Sequence, residues 1–128
     1  MRNSIEGDIT VLLDDLDDKQ LEEIHKIMKS MIINDDQEFL GFEDSTEKQY
    51  IFDRYDSNQE IVEQGLKNLM DRFYQNVKLV NLYFVHDASS GSMLDDDYVQ
   101  DISIVEYKYN NNYDQYLNTK RKELLFKN

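Results

Sequence analysis

Cysteine, proline and tryptophan are absent from this 128-residue chain, and glycine occurs only four times. Without cysteine there is no disulfide framework and no thiolate metal site, which excludes the staples of small secreted domains and zinc fingers. Without proline, nothing interrupts long elements from within. Gly7, Gly41, Gly65 and Gly91 stand apart, and none belongs to a phosphate-cradling loop. No apolar run approaches the ~20 residues that a bilayer-spanning helix needs. The N-terminus reaches Glu6 and Asp8 within a few residues, where a secretory signal would carry its apolar core. The expectation is a cytoplasmic protein that makes no membrane contact.

Positive charge is also scarce. Fourteen Lys and Arg face 27 Asp and Glu, for a net charge of -13. The imbalance is uneven: residues 1–66 hold 18 of the acidic side chains, whereas residues 112–128 carry a mild basic excess around Lys120-Arg121-Lys122. Such a field repels nucleic acid and anionic membranes and attracts basic protein surfaces.

What is present suffices for a core. The hydrophobic fraction is 40%, with nine Tyr and six Phe, and the length suits one domain spanning residues 1–128. The clearest element is a helix followed directly by a strand. Ser57 and Glu60 have the form of a capping box, and Val62, Leu66, Leu69, Phe73 and Val77 recur at helical spacing. The apolar run 79–85 then reads as an interior strand. Upstream, residues 1–7 read as a frayed start, with Asp8 capping a short helix that carries Ile9, Leu12, Leu13 and Leu16. Asp17, with Gln20 three residues on, opens a second helix bearing Leu21, Ile24, Ile27, Met28, Met31 and Ile32. Residues 38–43 and 49–55 read as a hairpin around the turn residues Asp44 to Glu47, and the middle of 98–109 as a fourth strand. Residues 88–93 read as a loop, and residues 113–122 as a final helix, followed by an apolar end at 124–126. The predicted fold is an α+β two-layer sandwich. It has an N-terminal helical pair, then two strands, a helix and two strands in an antiparallel sheet, with a short C-terminal helix or tail.

The acidic runs are the candidate site: Asp14, Asp15, Asp17, Asp18 and Glu22, then Asp35 and Asp36, Glu43 and Asp44, and Asp95, Asp96 and Asp97. On one reading they are a solvated surface, favoured in part by the positive N-terminus of a helix. On the other they imitate a nucleic-acid backbone, whose binders are lined with Lys and Arg. An EF-hand count through Asp95, Asp97 and Glu106 fails, because Val99 and Gln100 stand where a ligand and a glycine belong. His86-Asp87 beside Ser89, Ser90 and Ser92 offers the residue types of a hydrolase, without a Gly-x-Ser-x-Gly elbow. The tyrosines, among them Tyr50, Tyr55, Tyr98, Tyr107, Tyr109, Tyr113 and Tyr116, exceed what a core absorbs and suit its rim or a protein interface.

The expected function is therefore non-enzymatic. An acidic binding protein would inhibit a nucleic-acid-binding enzyme, a nuclease or CRISPR effector, by covering its basic groove, in the manner of phage anti-defence and DNA-mimic proteins. An immunity partner of a bacterial nuclease toxin is one alternative, and a small hydrolase using His86 with nearby carboxylates is another. No cofactor, metal or direct nucleic-acid contact is expected, and the chain would act as a monomer or homodimer.

Overall fold

The computed structural model describes residues 2–34, 36–88 and 101–111. Its elements run β1 (Arg2–Leu12), α1 (Asp18–Lys29), β2 (Glu47–Asp56), α2 (Gln59–Phe73), β3 (Val77–Asp87) and β4 (Ile102–Asn110). The strands form one antiparallel sheet in the order β2-β1-β3-β4. Two helices and this sheet make an α+β fold, but the predicted N-terminal helical pair is wrong. The segment expected to fray and then coil into a helix is the strand at the centre of the sheet.

Ile5, Ile9 and Val11 are all fully buried and two or four residues apart, the period of a strand, but Gly7 stands where the missing apolar residue would complete the alternation. Without that residue, Ile9, Leu12, Leu13 and Leu16 imitate a helical stripe. What decides the outcome is pairing on both sides, with β2 and with β3, together with the preference of Ile, Thr and Val for a pleated surface.

Gly7 is required there. Its φ is +118°, and a Cβ on it would overlap the backbone carbonyl of Asn81 on β3. One residue away the pairing with β2 slips. Ile5 opposes Tyr55 but Gly7 opposes Phe52, so Asp53 and Arg54 together face Glu6. This bulge holds Arg54 at φ 55°, with its Nε 3.2 Å from the Glu6 carboxylate.

Cross-strand rows define the two faces. Tyr50, Ile9, Val80 and Tyr109 form one buried row, and Phe52, Gly7, Leu82 and Tyr107 form the next. The helices cover this face with Ile24, Ile27 and Met28 of α1 and Val62, Leu66, Leu69 and Met70 of α2, in one continuous core. Full burial of each such side chain contributes about 1.5–3 kcal/mol. The helices meet where Gly65 leaves room for the Met31 side chain. Rows of opposite parity, such as Ile51, Asp8, Asn81 and Lys108, lie on the other face, away from the helices.

Asp17 caps α1 as predicted, accepting from the Gln20 amide at 2.7 Å while the Gln20 side chain accepts from the Asp17 amide at 3.0 Å. The cap of α2 is Asn58, which accepts from the Ile61 amide at 2.9 Å. Ser57 is buried and donates instead to the Met31 carbonyl at 2.5 Å, tying the exit of α1 to the entry of α2. The predicted strand at 38–43 reduces to two isolated bridges, Leu40 to Ile51 and Glu43 to Lys48, along the outer edge of β2. Gly41 lies between them at φ +132°. The predicted helix at 113–122 and the apolar end at 124–126 lie outside the described residues, as does nearly all of the predicted loop at 88–93.

Gly7→Ala should destabilise the fold by about 3–5 kcal/mol, since strain at positive φ and overlap with a backbone atom each cost roughly 1–3 kcal/mol. Urea unfolding would show this as a lower midpoint at unchanged slope. A loss below about 1 kcal/mol would mean that β1 does not pass so close to β3.

An acidic end of the sheet

β1 delivers its acidic continuation to a defined place. At its end the Leu12 amide donates to the Asn76 carbonyl at 2.6 Å and the Leu13 amide to the Thr46 carbonyl at 2.8 Å. The Asn76 side-chain amide then donates to the carbonyls of Leu12 and Asp14, at 3.0 and 2.9 Å. These bonds hold the turn at Asp14 and Asp15 against the turn that opens β2. Asp15 takes φ 62°, a left-handed conformation that Asp tolerates better than most residues. Asp14, Asp15, Asp17 and Asp18 are exposed, and so is Glu22 one turn along α1, 3.6 Å from Lys26.

Glu43 and Asp44 arrive at the same end through Thr46. One oxygen of Asp44 accepts from the Thr46 amide at 2.7 Å, the Thr46 hydroxyl at 2.8 Å and the Glu47 amide at 2.9 Å. Those bonds, led by the one from the Thr46 amide, hold its carboxyl below the ordinary carboxylate range. Glu43 lies 3.3 Å from Lys48, and Glu47 lies 2.7 Å from Lys78. Seven of the twelve candidate acids are thus gathered by one end of the sheet and the start of α1. Asp36 is not among them. The Ile33 amide donates to Asp56 at the far end of β2, and the chain enters the 36–44 segment from there. Asp35, Asp95, Asp96 and Asp97 lie outside the described residues.

Sequence reasoning missed two features. Asn76 orients the acidic turn but has no motif to announce it. Glu6, Asp8 and Asp53 border a shallow concavity of about 380 Å³ on the helix-free face, beside Gln49, Ile51 and Tyr83. Gln49 donates to Asp8 there at 3.2 Å. The alternation of Glu6 and Asp8 with Ile5 and Ile9 is the sequence signal for them, and Gly7 obscures it by breaking the apolar half of the pattern.

His86 sits near the end of β3, where its ladder partners are Asn3 and Ser103. No hydrogen bond or ion pair joins its side chain to a carboxylate or serine among the described residues, and Ser89, Ser90 and Ser92 lie outside them. Among the described residues no group of three His, Asp or Glu side chains could hold a metal, and no helix is long and apolar enough to cross a membrane. Tyr107 donates to Glu63 at 2.6 Å, whereas the Tyr50 hydroxyl is buried without a partner and burial pushes its pKa up to about 12. No protein-family model, no curated protein and no solved structure matches this chain.

His25 lies on α1 with its ring 6.1 Å from those of Phe39 and Tyr50. Partial burial, then the charges of Lys48 and Lys29, hold its pKa below the usual 6.5. The unfolded chain therefore binds a proton at His25 more readily than the folded one. Its neutral form supports the fold above the unfolded pKa, and that support is lost as pH falls through about 6.5 toward the lowered folded value. The urea midpoint should drop as pH falls below about 6.5, and His25→Gln should flatten that fall. An identical slope in the variant would exclude His25 as the source.

Proposed function

We propose that this protein is a cytoplasmic, non-enzymatic inhibitor that covers the basic groove of a nucleic-acid-binding enzyme with its acidic end. A host-defence nuclease or CRISPR effector is the target this reading favours. The nuclease of a toxin system offers the same kind of cleft and would make the protein its immunity partner. One observation carries the reading. The Leu13 to Thr46 hydrogen bond brings two acidic runs, separated by a helix and a long connection, to a single end of the fold. Charge serving solubility alone needs no such convergence.

The mechanism is electrostatic. Phosphates on one DNA strand recur about every 3.4 Å along the axis, and adjacent Asp side chains in a tight turn supply charge at comparable density. A clustered negative field speeds encounter with a basic cleft, to about 10⁸–10⁹ M⁻¹s⁻¹ at low salt in favourable cases. Screening at a Debye length of about 8 Å in physiological salt would make the association salt-sensitive. Asp17 and Asp44 also serve their local turns, so a test must separate charge from structure.

Asparagine does so, since it preserves an N-cap and tolerates a left-handed backbone. The partner would be captured from host lysate at low salt and shown to be released by competing DNA. The variant carrying Asp14→Asn, Asp15→Asn, Asp17→Asn and Asp18→Asn should then bind that partner at least tenfold more weakly, chiefly through slower association. Its unfolding free energy should stay within about 1 kcal/mol of the parent. Asp36→Asn, away from the acidic end, should leave affinity unchanged. Equal affinity in the fourfold variant would remove this end of the sheet as the contact surface.

A further inference from the structure

We infer that Leu40 and Phe42 are the apolar anchors of the acidic interface, and that its partner is a protein cleft in which Lys or Arg side chains stand beside an apolar pocket. The inference rests on the acidic-end reading and adds what holds the complex together once charge has steered the encounter. Leu40 and Phe42 are 62% and 47% exposed. The bridges Leu40 to Ile51 and Glu43 to Lys48 share one register, which sets Phe42 opposite Gln49. Both side chains therefore stand on the side of Ile51, away from the helices. Phe39, of opposite parity, turns inward, with its ring 4.9 Å from that of Phe52 and 5.5 Å from that of Tyr50.

The segment that carries the two residues is fixed along its length. The Ile51 amide donates to the Leu40 carbonyl at 2.9 Å, and the Gln49 amide to the Phe42 carbonyl at 2.8 Å. The Tyr55 hydroxyl donates to the Glu38 carbonyl at 2.7 Å, and the Lys29 ammonium to the Gln37 carbonyl. At Gly41 a Cβ would lie 2.4 Å from the Gln49 carbonyl oxygen, so the segment runs in close contact with β2. Single exposed apolar residues are ordinary. Two on one side of a segment latched in this way lose little freedom on binding, which is the preorganisation that interface anchors have.

Charge says what meets them. Along an extended segment Asp44 lies about 7 Å from Phe42. Thr46 links Asp44 to the turn at Asp14 and Asp15, through its amide on one side and its carbonyl on the other. None of Asp14, Asp15 and Asp44 takes part in an ion pair among the described residues, in contrast to Glu6, which pairs with Arg54. A purely apolar partner would desolvate these carboxylates without a countercharge. A purely basic one would leave Leu40 and Phe42 against charge or water, and nucleic acid is repelled. A cleft with both groups satisfies the whole surface. Charge then sets the association rate and the apolar pair the dissociation rate.

Panning a random peptide-display library against the full chain tests this without a known partner. Enriched peptides should carry Lys or Arg together with Leu, Ile, Phe or Trp. Against a synthetic peptide of such a sequence, Leu40→Ser with Phe42→Ser should speed dissociation about tenfold or more and leave association unchanged. Phe42→Leu should retain most of the affinity, and the fourfold asparagine variant should instead slow association. Both residues are exposed, so the double variant should keep the parent's urea midpoint. Should that midpoint fall, Phe42→Ser alone must still speed dissociation. Basic peptides without an apolar residue, or unchanged dissociation in the serine variants, would overturn the anchors and leave the acidic reading standing. Apolar peptides without a cation, or no enrichment over the bare support, would overturn both.

Discussion

The fold depends on how closely β1 passes β3. At Gly7 the Asn81 carbonyl takes the volume that any other residue would fill with its Cβ. That approach lets β1 pair along nearly its whole length on both sides, and it places Ile5, Ile9 and Val11 beneath the two helices. Everything that follows in sequence is then constrained. The helix α1 returns β1 to its neighbour β2, and α2 carries the chain over β1 to reach β3. The conformational freedom given up by a glycine in a strand is offset by ladder bonds on two edges and by the packing of the rows beside it.

The acidic end inherits its geometry from that arrangement. Because β1 ends between the start of β2 and the start of β3, the turn it feeds touches both Thr46 and Asn76. Like charges gathered at one end repel, and the structure offsets part of that repulsion locally. Asp17 caps a helix, Asp18 lies in its first turn, and Asp44 accepts three hydrogen bonds. The nearby ion pairs are largely at the surface, where each contributes at most about 1 kcal/mol. Asp14, Asp15 and Glu22 have less structural reason to be acidic, and their charge is where a functional explanation has most to account for.

Much of the fold was legible where local chemistry and tertiary packing agree. The Asp17 and Gln20 box, the stripe from Val62 to Phe73, and the strands at β2, β3 and β4 were all readable from spacing and residue type. The places that misled were those where a distant contact outweighs a local pattern. Ser57 resembles a cap, yet its hydroxyl is drawn to Met31 and the neighbouring Asn58 takes the role. Residues 38–43 have strand composition, but Gly41 interrupts their ladder. In β1 a glycine demanded by packing erased the very alternation that would have identified it. Of the acidic site, the residue types and runs were visible, but their convergence was not, because it rests on the backbone bond between Leu13 and Thr46. The Asp36 run shows the converse, equally acidic in sequence but approached from the other end of β2.

Native-state hydrogen exchange on residues 2–12 tests the central placement of β1 most directly. With β1 between β2 and β3, the amides of Ile5, Ile9 and Val11 should exchange only through global unfolding, and their opening free energies should match that of the whole domain. Exchange of these amides at the rate of a fraying terminus would contradict both the sheet order and the route by which the acidic turn reaches Thr46.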